Sequence, residues 1–417
     1  MKVLLYTFGT RGDVQPFVAL GVALKQRGHE VTLCTGKGYD WLIEAYGLTP
    51  ATVSIDYRAI IKTPVAIEAF RSISGRFKAL REFKGVIRTQ FDEMWTVAQE
   101  VRPDVIVYHP RGFAAQHIAE ALQAVAIPST LQPAFVPTGA FPNPLTPLPD
   151  MGWLGNRLSH DLIDRVTRWA QSSLIGKWRE SKLGLTSKGQ VNFFEGYDPQ
   201  GRLRQRLHAY SRYLAPPPDD WTERERVTGY WFLNRAEQFQ PPPSLEAFLA
   251  AGPPPAYVGF GSMPAANVKR QTRMVIEGLR RAKMRGVLAS GWGGLDAVPA
   301  DDIYSLESVP HDWLFQRCAV VVHHGGAGTT HEGLRWSRPT IVCPMGIDQP
   351  YWGRMVHALG AGPKMVPLRS LTPGGLAKAL EQAKSWSIVS RAAEIGTAIG
   401  QEKGAEDAAE MIDTLSF

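Results

Sequence analysis

The strongest constraint on this chain is the stretch Ala319–Gly353, AVVVHHGGAGTTHEGLRWSRPTIVCPMGIDQPYWG. Its hydrophobic, β-branched opening, Ala319–Val322, reads as a parallel strand buried on both faces. His323 and His324 come next, then a loop with glycine at 325, 326 and 328, then a helical pattern. Thr340–Cys343 reads as a second buried strand, and Asp348-Gln349 stands just before another helix. A glycine loop between strand and helix turns backbone N–H groups and a helix N-terminus toward phosphate. Polar residues just past strand ends lie where open α/β sheets bind ligands. This stretch is therefore the first candidate for an active site.

The same alternation runs through the rest of the chain. Val3–Thr7 reads as a strand, Gly9–Asp13 as a tight turn, and a helix follows from Val14 to about Arg27, with Asp13 expected as its N-cap. Glu30–Thr35 is the next strand. The turn lacks G-x-G-x-x-G and no acidic residue ends the second strand, so nicotinamide dinucleotide binding is not expected. Asp104–Tyr108 and Ala126–Leu131 are further strands, the first leading into His109-Pro110-Arg111-Gly112. Gln132–Trp153 is a long apolar loop, read equally as a cover for an apolar ligand or as packing on its own domain. Trp153–Leu183 is read as helical. Proline-rich segments at 215–220, 241–243 and 252–255 mark a connection. Beyond it, Ala256–Phe260, Val287–Ser290 and the opening stretch restart the β–α pattern.

The 417 residues suggest two domains, and 44% hydrophobic content fits sizeable cores. Cys34, Cys318 and Cys343 share no metal-ligand spacing and read as buried thiols of a reducing compartment. No apolar run approaches the roughly 20 residues needed to span a bilayer, and the chain enters a strand at once, so a cytoplasmic location is expected. The net charge of +7 is spread out rather than concentrated in a nucleic-acid module, so no nucleic-acid partner is expected. Its densest cluster is Arg71–Arg88, with six basic residues and Glu82 as the one acid. There Leu80, Phe83, Ile87 and Phe91 recur at helical spacing. That helix is either a solvated face or a peripheral contact with an anionic membrane, near Arg76–Arg88.

The residues GTRGDVQPFVALGVALKQRGHEV, GKWRESKLGL, VTGYWFL, FLAAGPPPAYVGFGSM and HHGGAGTT…DQPYWG keep one order along nearly the whole chain. With them the chain resembles GT-B glycosyltransferases of the UDP-glycosyltransferase superfamily, most closely the sterol glucosyltransferases. The resemblance implies an α/β GT-B fold: two Rossmann-like parallel-sheet domains facing across a cleft. An acceptor-binding domain would occupy 1–235, a linker 236–254, a nucleotide-sugar domain 255–385, and helices packing back on the first domain 386–417. It implies metal-independent, inverting transfer of a hexose to a hydroxyl of a lipophilic acceptor, with UDP-glucose as co-substrate and no further cofactor.

The resemblance also assigns roles. Asp13 stands where relatives with this turn place the base that takes the acceptor's hydroxyl proton, although a carboxylate at a helix N-terminus is held weakly basic. His109 is the runner-up base, and His117 reads as packing. His323 aligns with a diphosphate-contacting histidine, and Gly325, Gly326, Gly328 and Thr329 would add donors. Glycine there lets backbone approach phosphate. His324 would support from behind, and Ser262 and Thr10 are further contacts at strand ends. Asp348 and Gln349 match the pair that holds donor-sugar hydroxyls. Trp292 and the Val309 backbone would meet the base. Relatives that hold the ribose with a glutamate carry it where His331 stands here, and Glu332 is offset by one. Three readings follow: a sterol glucosyltransferase, a tailoring glycosyltransferase of a polyketide, macrolide or peptide using a UDP- or TDP-sugar, and a non-catalytic nucleotide-sugar binder. The last has no need of Asp13.

Overall fold

The computed structural model describes every residue except 72, 187–195, 200, 262–267, 291–294, 297–299 and 415–417, and the side chains except also those of 70, 71, 73, 74, 76, 77 and 173. Two compact units emerge. The first comprises the described residues of Met1–Arg212, Pro217–Leu233 and Lys403–Phe417, and the second those of Tyr213–Pro216 and Asn234–Glu402.

The first unit holds β1 (Lys2–Tyr6), β2 (Glu30–Gly36), β3 (Thr49–Val53), β4 (Val105–Tyr108), β5 (Val125–Thr130), β6 (Arg206–His208) and β7 (Glu225–Val227). All pairings are parallel, in the order β3-β2-β1-β4-β5-β6-β7. The second unit holds β8 (Ala256–Gly259), β9 (Gly286–Ala289), β10 (Ile303–Leu306), β11 (Val320–His323) and β12 (Thr340–Val342), also all parallel, in the order β10-β9-β8-β11-β12. Each unit thus has its first strand beside its fourth, so the chain's direction of travel reverses at β1/β4 and at β8/β11. Such reversal points open a crevice at the strands' carboxyl ends, the place where open α/β sheets take ligands.

The central strands form because helices cover both faces, leaving no position for a polar alternation. β1, β4 and β11 are buried almost throughout, and β1 supplies Leu4 and Tyr6 to a core shared with Phe91, Met94, Ile118 and Trp178. The strands that composition did not reveal, β3, β6, β7 and β10, lie toward sheet margins; β6 and β7 have three residues each. Short marginal strands carry too little apolar periodicity to register in a sequence.

Several expectations change. The first helix is Arg11–Gln26, with Thr10 at the N-cap and Asp13 at its third position rather than at the cap. The Gln132–Trp153 loop packs on its own domain: Ala134 and Val136 join the first core, and Asp220 accepts from the Thr138 hydroxyl at 2.7 Å and the Gly139 N–H at 2.8 Å. Within 236–254, Pro243–Ala250 is a helix that buries Leu245 in a core of the second unit. Among the last helices, Trp386–Gly400 packs on Ala327–Arg335 within the second unit, whereas Gly404–Asp413 lies on the first helix, where Asp413 pairs with Arg27 and His29. All three cysteines are buried free thiols.

Candidate functional site

Two constellations stand at the two reversal points. In the first unit, β1 delivers the turn Phe8–Thr10 and the helix start carrying Asp13, and its neighbour β4 delivers His109 and Arg111. One Asp13 carboxylate oxygen, Oδ2, accepts from the Thr10 N–H at 2.7 Å, the Thr10 hydroxyl at 3.1 Å and Arg111 Nη1 at 2.8 Å. Arg111 Nη1 also donates to the Phe8 carbonyl at 3.1 Å. The other oxygen, Oδ1, lies 3.7 Å from His109 Nε2. Asp13 is partly buried, and burial alone would raise its pKa, but Arg111, His109 and the Thr10 N–H together hold it below the ordinary carboxylate value. It is an ionised, pre-aimed carboxylate. Gly9 makes the packing feasible. Its φ is +142°, and a Cβ there would sit 2.0 Å from Arg111 Nη1 and 2.2 Å from Asp13 Oδ2.

His109 is buried, and that burial lowers its pKa to about 4 against the opposing pull of Asp13. Its Nδ1 accepts the Arg111 backbone N–H at 3.4 Å, which leaves the proton on the Nε2 that faces Asp13. A neutral histidine in that tautomer has no lone pair to offer beside Asp13. His117, as expected, packs: it is buried between Gln116 and Arg179, with Arg179 also bonded to Glu120.

In the second unit, β11 ends on His323, paired with Gly259 of β8 and Val342 of β12. Its ring is fully buried. Nδ1 accepts the Gly325 N–H at 2.9 Å, so the proton sits on Nε2, which has no partner among the described residues. A buried donor without an acceptor is costly unless a ligand completes it. Burial, with neighbouring His324 and His311, keeps this ring well below the ordinary histidine pKa, hence neutral. The helix Ala327–Arg335 starts immediately after, with Gly326 as N-cap, so its unbonded first-turn N–H groups belong to Ala327, Gly328 and Thr329. Gly325 has φ +93° and packs so closely on Gln349 that a Cβ would meet its carbonyl oxygen at 3.0 Å. The His324 ring lies against Gly261 and Gly326.

Asp348 and Gln349 open the helix Gln349–Ala358. Gln349 Oε1 accepts from the Met345 N–H at 2.8 Å and the Gly346 N–H at 3.3 Å, and Asp348 Oδ2 accepts from Trp352 Nε1 at 3.2 Å. The residue before them, Ile347, has φ +59°. A β-branched residue in the left-handed region is strained, and such strain gathers where a loop must be held in one shape.

Thr10 is committed to Asp13 through both its N–H and its hydroxyl. Val309 is buried beside Trp313, Leu314 and Phe315. Ser262 and Trp292 lie outside the described residues. His331 is buried inside its helix, Nδ1 2.7 Å from the Ala327 carbonyl and its ring edge-on to Trp352 at 5.0 Å, so it joins two helices. Glu332 is buried against Trp336, whose Nε1 donates to it at 2.7 Å. Arg111 was not singled out in the sequence. The available signal was its place just after a strand, in HPRG; what it lacked was the knowledge that β4 lies beside β1. Of the basic 71–88 segment, Lys78, Arg81 and Arg88 are exposed while Leu80 and Ile87 pack on the first core. No helix among the described residues is long and apolar enough to cross a membrane.

Residues 3–138 match the glycosyltransferase family 28 N-terminal domain, and residues 289–402 the C-terminal domain of erythromycin biosynthesis protein CIII-like proteins. A sterol 3-beta-glucosyltransferase of Arabidopsis thaliana is 33% identical over 97% of this chain and 64% of its own length. A sterol 3-beta-glucosyltransferase of Pichia angusta is 31% identical over 99% of this chain and 33% of its own length. The chain thus spans less than two thirds of these relatives. Among solved structures, the glycotransferase of kitacinnamycin superposes with a TM-score of 0.73 at 20% identity, covering 99% of this chain and 98% of that one. SnogD from Streptomyces nogalater superposes with a TM-score of 0.68 at 22% identity, covering both chains fully (100% each). VinC, solved in complex with DTDP, has a TM-score of 0.68 at 17% identity and covers 99% and 98%. Two parallel-sheet units, the two domain matches and the relatives along almost the whole chain agree: this chain has the GT-B fold, and its sequence is similar to glycosyltransferases along nearly its whole length.

Proposed function

We propose that this chain is an inverting glycosyltransferase that moves glucose from UDP-glucose to the hydroxyl of a sterol or a similar flat, apolar alcohol. In this reading the first unit binds the acceptor and the second the nucleotide sugar. The acceptor oxygen attacks the anomeric carbon as the bond from that carbon to the diphosphate breaks. The hydroxyl proton passes to Asp13, and the leaving UDP carries away the electron pair of the broken bond. Asp13 is a weak base because Arg111 and Thr10 stabilise its charge. It therefore acts by orienting the hydroxyl and taking the proton late, once the oxygen has become acidic through bonding to carbon. The diphosphate's developing charge would meet the Nε2–H of His323 and the N–H groups of Gly328 and Thr329 at the helix start. Asp348 and Gln349 would hold sugar hydroxyls.

The observation that carries the acceptor assignment is the similarity to sterol 3-beta-glucosyltransferases over 97% of the chain. A second reading, a tailoring transferase using a TDP-sugar, draws on the CIII-like match and on the VinC fold neighbour solved with DTDP. Crossing UDP- and TDP-sugars against sterols and natural-product aglycones, with products identified by mass spectrometry, separates the two. A steryl glucoside from UDP-glucose is the expected product. Its absence with every UDP-sugar would sink the sterol assignment. The chain works at a membrane surface in this reading, since a sterol is delivered from a bilayer.

A further inference from the structure

The helix Gly152–Leu183 is built inside out along its first half. Met151, Leu154, Leu158, Leu162, Val166 and Trp169 recur at spacings of three or four, on one side of the helix, and all are exposed, from 40% at Val166 to 65% at Leu154. The opposite side, turned into the protein, is polar. Asn156, Ser159 and His160 are buried and hold the preceding loop: Asn156 Nδ2 donates to the Gly139 carbonyl at 3.1 Å, Ser159 Oγ accepts the Asn143 N–H at 2.8 Å, and His160 Nε2 bonds the Phe141 carbonyl at 3.2 Å. Past residue 170 the order reverts to the usual one, with Leu174, Ile175 and Trp178 in the first core. A surface helix ordinarily turns its apolar side inward. Here the interior is already satisfied by hydrogen bonds, so the outward leucines serve a second apolar phase.

We infer that this half-helix lies in the interface of an anionic lipid bilayer. Its apolar stripe runs about 27 Å at 1.5 Å per residue, a length suited to lying along a membrane surface. Arg165 and Arg168 lie along it, against Asp161 and Asp164, with Asp164 held by Arg168, while Arg157 turns to the Pro137 carbonyl and Asp220. Arginines reach headgroup phosphates while their stems cover acyl chains. Trp169 closes the stripe with a side chain that favours the headgroup boundary. The chain's net charge of +7 draws the whole molecule to the same surface. This inference rests on the membrane working place proposed above and moves the contact from the basic 71–88 segment to this helix.

Flotation of the full chain with phosphatidylcholine vesicles, with and without phosphatidylserine, tests it. The wild type should float with anionic vesicles, and L158E/L162E should lose about tenfold or more of that binding. Both leucine side chains are exposed, so folding should survive; an unchanged far-UV dichroism and melting temperature would verify this. R81E/K84E should bind nearly as well as wild type. If L158E/L162E binds like wild type while R81E/K84E does not, the membrane reading stands and this helix is not its anchor. If the wild type ignores both kinds of vesicle, the membrane reading itself fails. If light scattering finds a dimer that L158E/L162E dissolves with vesicle binding intact, a second copy covers the stripe and the inference is overturned.

Discussion

Arg111 reaches from the loop after β4 to Asp13 on the first turn after β1, with Nη1 2.8 Å from Oδ2. Ninety-eight residues separate the two in sequence, and the pairing of β1 with β4 brings them together. The contact sets both the charge and the aim of the carboxylate. Burial, the largest influence, pushes the Asp13 pKa up, yet Arg111 leads the opposing influences and leaves it below the ordinary value.

Removing the guanidinium should therefore move a pH profile. A depressed carboxylate stays ionised until the pH falls below the usual aspartate range, so the acid limb of kcat/KM in the wild type lies low. In Arg111→Ala, burial acts unopposed by its strongest partner and the limb shifts to higher pH. Rates measured from about pH 4 to 8 check this. An unmoved limb would mean that Asp13 is not the group titrating.

Asp13→Asn keeps the shape of the side chain and removes its charge. Turnover should fall by about 10²–10⁴-fold, the usual contribution of a general base. UDP affinity should remain close to wild type, because Asp13 has no assigned contact with the nucleotide. A variant that retains turnover would show that Asp13 is not the base and would shift the role to a water molecule.

His323 should act as a neutral hydrogen-bond donor. Its pKa lies well below the ordinary histidine value, so it carries no charge near neutrality and its contribution to UDP-glucose binding should be flat between about pH 6 and 8. A charged ring would instead tighten binding as pH falls. His323→Ala should weaken UDP-glucose by about 10–100-fold, the range for a hydrogen bond to a charged group. Isothermal calorimetry across that pH range reads both effects, and a marked tightening toward acid would refute the neutral assignment.

Glu332 should make stability depend on pH. Burial raises its pKa to about 7, although Arg335 and the Trp336 N–H pull the other way. Because the folded value lies above the unfolded one, its contribution favours the fold at low pH and is lost as pH rises toward and through about 7. Glu332→Gln, which can still accept from Trp336, should melt higher than wild type at pH 8 and show a flatter dependence from about pH 5 to 8. If the two proteins melt in parallel across that range, Glu332 is not buried as an acid.

The fold was legible where apolar runs are continuous. β1, β4, β8 and β11 are buried in the middle of their sheets, and such strands must be hydrophobic on both faces. The glycine loop after His323 was legible because its composition suits few other backbones. Asp13 was identified, but its place in the helix was misjudged by three residues, since a capping aspartate and a third-position aspartate look alike until Thr10 is seen to occupy the cap. The outward leucines of Gly152–Leu183 also escaped notice, because a periodic stripe tells where apolar residues align but not which way the helix turns them.

The order of residues carries the class of fold, because that follows from local periodicity, and it points to a glycine loop between a strand and a helix, because only glycine meets the backbone needs there. Tertiary structure alone decided who stands beside whom. It placed Arg111 and His109 on Asp13, left the Nε2–H of His323 buried without a partner among the described residues, and turned His331 into packing between helices. Proton affinity depends on neighbours within a few ångströms and on exclusion of water, and neither is written in the order of the chain.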